Sequence, residues 1–259
     1  MDSYHSNGQS ENADKLIFKD AKGNQILMSD LEGVTGNYNW EIKDATKIPD
    51  EANKFHQEAR QHGGKGEYDL GIEKLLKANE IAPKWAYPIY DLAYTYLLKQ
   101  DFPNALKYYE LTDKMKPRGF FTAKTAHWSL KKEKEGDFQE GLYLAFMQIE
   151  WMNTDDEKLQ MAKVIVDKFP KYAPAWKIIA QKSNDNEERL NAVEKGLNCN
   201  PDEDTKGVLQ INKALVKNIQ EKQEEAKKIL GELVFDKEST FGNIELAKFV
   251  LSIIAKEEE

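Results

Sequence analysis

The chain has 259 residues, 40% of them hydrophobic and 32% charged, with a net formal charge of −8. That length suits two average domains or one stack of repeated units, and the acidic balance argues against nucleic acid or an anionic membrane surface as partner, since both ask for a basic footprint. A single cysteine, Cys199, excludes an intrachain disulfide and a cysteine-based metal cluster.

The four histidines, His5, His56, His62 and His127, have no HExxH-like spacing. Neither a metal nor any other cofactor is therefore expected. No apolar run is long enough to cross a bilayer, so membrane insertion is not expected. The first residues, Met1-Asp2-Ser3-Tyr4-His5, have neither a basic region nor an apolar one. Taken at face value the protein is cytoplasmic, although a periplasmic or secreted chain stripped of its leader would look the same.

Residues 1–14 are polar and rich in Ser, Asn and Gly, which predicts a disordered arm. Residues 15–48 have a different texture and are predicted as a small β-rich, hairpin-like segment. Leu16-Ile17-Phe18 and Gln25-Ile26-Leu27-Met28 flank a turn at Lys22-Gly23-Asn24, and Tyr38-Asn39-Trp40-Glu41-Ile42 alternates like a half-buried strand. Two or three strands are too few to fold alone, so they are expected to lie against the first helices.

From residue 49 to 259 the pattern is helical. Pro49 followed by Asp50 and Glu51 opens a helix at about 50–62, and His62-Gly63-Gly64-Lys65-Gly66 breaks it. A second helix, about 67–81, stops at Pro83. Here the sequence repeats: Ala59 is answered by Ala93, Tyr68 by Phe102, Gly71 by Ala105, Leu75 by Tyr109 and Pro83 by Pro117, each pair 34 apart.

These residues resemble tetratricopeptide (TPR) repeats, which place small residues where two helices cross, large ones beside them and a proline at the close. The resemblance implies a mainly α fold, an α-α superhelix of TPR-like hairpins. Phe55 and Ile89 stand where the pattern has tryptophan, and Tyr96 takes the aromatic position of the first helix.

A third unit, about 120–135 and 138–151, follows with Gly136-Asp137-Phe138 echoing Gly66-Glu67-Tyr68 at a shifted spacing. The helix at about 155–169 is out of phase and reads as a kink or spacer. A fourth unit pairs about 173–183 with 187–199, a fifth pairs about 203–217 with 220–234, and a last amphipathic helix spans about 241–256.

No catalytic motif is visible, and the chain reads as a non-enzyme. Gly63-Gly64-Lys65-Gly66 lacks phosphate-loop spacing and a preceding strand, and Asp155-Asp156-Glu157 has a sufficient reason to sit at a helix start. Cys199 is expected inside a second helix. Binding is the reading with a physical basis. The TPR resemblance puts the first helix of each pair on the concave side, so the implied groove residues are Tyr87, Tyr90, Asp91 and Tyr94 from the second unit. Gln57 and Arg60 come from the first unit, and Lys124 and Trp128 from the third. Arg118, Phe120 and Phe121, at the turn into the third unit, extend the cluster.

The expected function is a scaffold or adaptor holding a peptide segment of a protein partner of unknown identity. On that reading Tyr90→Ala or Asp91→Lys weakens capture and leaves stability nearly unchanged. A chaperone C-terminal tail is disfavoured. TPR domains that clamp such tails use lysine and asparagine where this chain has His56, Arg60 and Asp91. A central aspartate repels a carboxylate by on the order of 1 kcal/mol. Two competing readings remain: an oligomerising structural module, and a small-molecule pocket lined by Trp40, Trp85 and His127.

Overall fold

A computed structural model describes residues 15–19, 39–43 and 47–256. The chain divides into two compact units, Met1–Pro49 and Asp50–Glu259. The predicted arm at 1–14 and the predicted strand at 25–28 lie outside the described residues.

In the first unit, β1 (Lys15–Lys19) pairs antiparallel with β2 (Asn39–Lys43). β2 falls on the strand expected at Tyr38–Ile42. Its register sets Leu16 opposite Ile42 and Phe18 opposite Trp40. Apolar residues two apart in one strand thus meet apolar residues two apart in the other, the match that specifies a register.

The described residues of the second unit form twelve α-helices: α1 (Asp50–Gly64), α2 (Tyr68–Ile81), α3 (Ala86–Leu98), α4 (Phe102–Met115), α5 (Ala123–Lys134), α6 (Leu142–Met147), α7 (Asp155–Lys168), α8 (Ala173–Lys182), α9 (Asn186–Leu197), α10 (Glu203–Ile219), α11 (Gln223–Phe235) and α12 (Phe241–Lys256). A 3-10 turn, Gln148–Trp151, follows α6 directly. Local chemistry sets the boundaries. Asp101, Asp185 and Asp202 cap α4, α9 and α10 by accepting backbone N–H bonds. Thr154 and Glu157 form a reciprocal capping box on α7, which accounts for the acids there without any catalytic role. The echo at the hairpin turns is a backbone echo. Gly66 and Gly136 have φ of 76° and 83°, and Gln100 between them has 59°, the left-handed conformation that ends a helix.

Helices pack as successive antiparallel pairs, α1 on α2, α3 on α4, α8 on α9 and α10 on α11. The second helix of each pair also packs on the first of the next, as α2 does on α3 and α4 on α5. Small residues set the crossing distance. A Cβ on Gly71 would come within 3.4 Å of the Ala59 carbonyl oxygen. In the next pair Ala93 and Ala105 are fully buried beside Leu97 and Tyr109. One continuous core runs from Ala93 to Leu209. Helix α7 packs on α8 as α2 packs on α3, so it holds the place of a second helix rather than that of a spacer.

The third unit departs from the pattern. Helix α6 is a short helix entered through Gly141 at φ 88°. The buried carboxylate of Glu133, on α5, accepts the N–H of Gly141 at 2.8 Å and of Tyr143 at 2.6 Å. Burial pushes this carboxyl up, against the pull of those two bonds. Far along the chain, the α11–α12 connection reaches back to the α4–α5 connection. Arg118 donates from Nε and Nη2 to the Ser239 carbonyl at 3.1 Å and lies 4.5 Å from the Phe241 ring centre, while Phe241 N–H donates to the Arg118 carbonyl at 2.9 Å.

Candidate partner-binding groove

On α3 the residues Tyr87, Asp91 and Tyr94 fall at i, i+4 and i+7, one stripe along one face. All three are half-buried. Asp91 Oδ2 is hydrogen-bonded to His56 Nε2 at 2.7 Å, which ties the stripe to α1. The His56 ring is buried and packs edge-on against Trp85 at 4.7 Å. Arg60, one turn beyond His56, is exposed. These are the expected site residues that α1 and α3 bring together.

Tyr90 belongs to the packing as much as to the groove. Its ring meets Tyr109 at 5.8 Å, Phe120 at 5.7 Å and Phe121 at 5.2 Å, and its hydroxyl is 2.9 Å from Thr122 Oγ1. Burial pushes the phenol up to about 12, with the Thr122 hydroxyl pulling the other way. Phe121, in the left-handed region at φ 47°, turns its ring toward Tyr87 and Tyr90.

Of the other expected residues Gln57 is exposed, while Arg118, Lys124 and Trp128 are engaged by the chain itself. Arg118 is held by Ser239 and Phe241 as described above. Lys124 bonds to Asp113 at 2.9 Å, and His127 meets the other oxygen of the same carboxylate at 3.0 Å. Trp128 donates from Nε1 to the Asn200 carbonyl at 3.1 Å, and Thr125 beside it donates to Asp202. The face of α5 is thus covered by the start of α10 and the loop before it.

Several contributors escaped the sequence reading. Glu150, on the 3-10 turn, is exposed. Burial raises the Tyr94 phenol, and the charges of Glu150 and Asp91 add to the rise. Among the described residues the hydroxyls of Tyr109 and Tyr143 are buried with no hydrogen-bond partner. Their rings are 6.2 Å apart. Cys199 sits beyond the end of α9 rather than within it, with its Sγ 3.0 Å from the Lys195 carbonyl oxygen. His127 and Trp85 belong to different clusters, and the side chain of Trp40 is outside those described. Among the described residues no group of three or more His, Cys, Asp or Glu side chains is placed to hold a metal ion, and no helix is long and apolar enough to cross a membrane.

The fold is a TPR-like stack of helical hairpins. No family model and no curated protein matches the sequence. Among solved structures, the flexible tandem repeat domain of bacterial cellulose synthase is similar at 17% identity and a TM-score of 0.51, over 76% of this chain and 96% of that one. MamA (residues 41 to the end) from Desulfovibrio magneticus RS-1 matches at 13% identity and a TM-score of 0.35, over 78% and 98% of the two chains. A thermophilic TPR protein of Thermus thermophilus does so at 14% and 0.32, over 77% and 99%. The first of these carries the likeness, and it is a likeness of fold.

Proposed function

We propose that the protein is a non-enzymatic scaffold that holds a segment of a protein partner against the face built by α1 and α3. The observation that carries this reading is the Tyr87, Asp91, Tyr94 stripe, part-exposed beside exposed Arg60, on a helix whose opposite side is fully buried at Leu92 and Ala93. A rigid aromatic stripe lowers the ordering cost on the protein's side, and tyrosine gives contact area at little entropic expense. The face of α5 is left out of the proposed groove because α10 and its preceding loop cover it.

Selection of random displayed peptides on the immobilised protein tests the reading. Enriched peptides are expected to lose about tenfold in affinity against Tyr94→Ala and Arg60→Glu, as contact residues at an interface do. Equal binding to wild type and both variants would remove the groove.

A second reading has an observation of its own. Phe235 is 86% exposed at the end of α11, and Ile219, Trp151 and Val164 are each more than half exposed. Such side chains suit self-association. Light scattering over a range of concentrations separates a self-associating module from a monomeric scaffold.

A further inference from the structure

We propose that a cleft between the C-terminal ends of α2 and α4 is a second docking surface. It receives from a protein partner a segment that carries a large apolar side chain next to an aspartate or glutamate. The cleft does not depend on the α1–α3 groove. Ile89, which lines it, lies on the side of α3 away from the Tyr87, Asp91, Tyr94 stripe.

The walls ask for an apolar group. The cleft is open, with a volume of about 470 Å³, inside the range of roughly 300–1,000 Å³ usual for ligand-holding clefts. Pro83, Ile89, Leu111 and Met115 line it. Leu111 is 38% exposed, so covering it is favourable, and the thioether of Met115 adapts to what enters.

The rim sets the charge. Lys84 and Lys116 line the cleft, and the ammonium of Lys84 is exposed and makes no ion pair among the described residues. Helix dipoles do not decide the sign, since α2 and α4 end beside the cleft while α3 starts there. The net charge of −8 opposes an acidic segment from afar, but it is screened beyond about 8 Å at physiological salt. At contact the lysine decides, and it selects a carboxylate.

The repeat itself shows what such a joint takes. Asn79 and Lys84 correspond to Asp113 and Arg118, 34 residues on. At that second joint the protein supplies the partners. Asp113 is bonded to Lys124 and His127, and Arg118 holds a chain segment, 239–241, through a backbone carbonyl and an aromatic ring. At the first joint Asn79 lines the open cleft, and among the described residues its Oδ1 is buried without a hydrogen-bond partner. The first joint thus has the cation and the apolar wall, and the second shows a chain segment as the fitting occupant.

The test follows methyl signals of the full chain by NMR during titration with capped Gly-Ser peptides that carry Phe-Glu, Phe-Gln or Ala-Glu. Phe-Glu is expected to bind about threefold tighter than Phe-Gln, the worth of one exposed ion pair. It is expected to bind at least about tenfold tighter than Ala-Glu, which leaves the wall uncovered. Signals of Ile89, Leu111 and Met115 should move, and those of Val193 in α9 should stay. Lys84→Glu should erase the preference for glutamate and Leu111→Gln the preference for phenylalanine. The charge-matched control Lys65→Glu, in the turn before α2, should keep both. All three positions are exposed, so unchanged melting curves are expected. Equal binding of Phe-Glu and Phe-Gln, or unmoved signals at Ile89 and Met115, overturns the proposal. Loss of binding in Tyr94→Ala with none in Leu111→Gln would put the peptide in the α1–α3 groove and overturn the cleft. Hexanoate that binds as tightly as Phe-Glu would make the occupant a small carboxylate, and self-association that Leu111→Gln removes would make it a second copy. Either result also overturns the proposal.

Discussion

Tyr90 shows how far a single position can move between reading and structure. Its place in the repeat pattern puts it in the groove, where removal should leave stability alone. Its contacts with Tyr109, Phe120 and Phe121 put it in the packing instead. Tyr90→Ala should therefore cost about 3 kcal/mol of stability, in the range of large aromatic truncations. Tyr90→Phe, which loses only the Thr122 hydrogen bond, should cost about 1 kcal/mol. Urea melts of the two variants decide it, and a silent Tyr90→Ala would return the residue to the groove. Asp113 makes a second case. Burial alone would raise its carboxyl, but the bonds from His127 and Lys124 outweigh burial and hold it below the ordinary range. A carboxyl lowered in the folded state contributes stability that is present above its unfolded value, about 3.9, and is lost as the pH falls through the folded value. Wild type should thus lose stability on acidification below about pH 4 more steeply than Asp113→Asn does. Parallel acid limbs for the two proteins would refute the assignment.

Helices α1 to α4 were legible because everything that defines them is local. Ala59, Gly71, Pro83 and their counterparts 34 residues on repeat in sequence what the hairpins repeat in space. The out-of-phase helix was legible as a helix but not in its role. Phase is set by α7 packing on α8, which no capping residue encodes. Helix α6 was predicted as a full helix at about 138–151, yet it is short and leans on a partner outside itself. Glu133 takes the N–H groups of Gly141 and Tyr143, two of those a helix start leaves open. A lone glutamate on α5 carries no sequence sign of this. Removing the carboxylate strands two donors, and Glu133→Ala should cost about 2–3 kcal/mol. Glu133→Gln, which keeps one acceptor oxygen, should cost about half of that. Thermal melts of both variants measure it, and equal melting of the two would show that the carboxylate does not cap α6. The site divides in the same way. The α3 stripe could be read from helical spacing, whereas the covering of α5 by α10 and its preceding loop joins residues more than 70 apart in sequence.

For a linear array of helix pairs, stability is a sum of units and nearest-neighbour interfaces, and the end units fray first. The second unit of this protein departs from that picture where α10 and the loop before it cover α5, and again at the α4–α5 connection. Arg118 and Phe241 are linked through two guanidinium bonds to Ser239, a ring contact and a backbone bond, and the partners Arg118 and Ser239 are 121 residues apart in sequence. Thr240 presses against Gly119, where a Cβ would come within 3.1 Å and φ is 101°. Helix α12 is also pinned to the first turn of α10, since Asn243 Nδ2 donates to the Glu203 and Asp204 carbonyls. An end helix held this way opens only by breaking contacts with the middle of the stack. Its opening should then cost more than fraying of an end unit that touches its neighbour alone. Charged hydrogen bonds and a cation–π contact of this kind are together worth about 2 kcal/mol, or more than tenfold in an opening equilibrium. Arg118→Ala should accordingly raise amide exchange in α12 at least about tenfold and leave α1 and α2 unchanged, because the lost contacts lie beyond their neighbours. Faster exchange throughout Asp50–Glu259 would mean that the unit opens as one body, and unchanged exchange in α12 would mean that the link adds nothing to nearest-neighbour stacking.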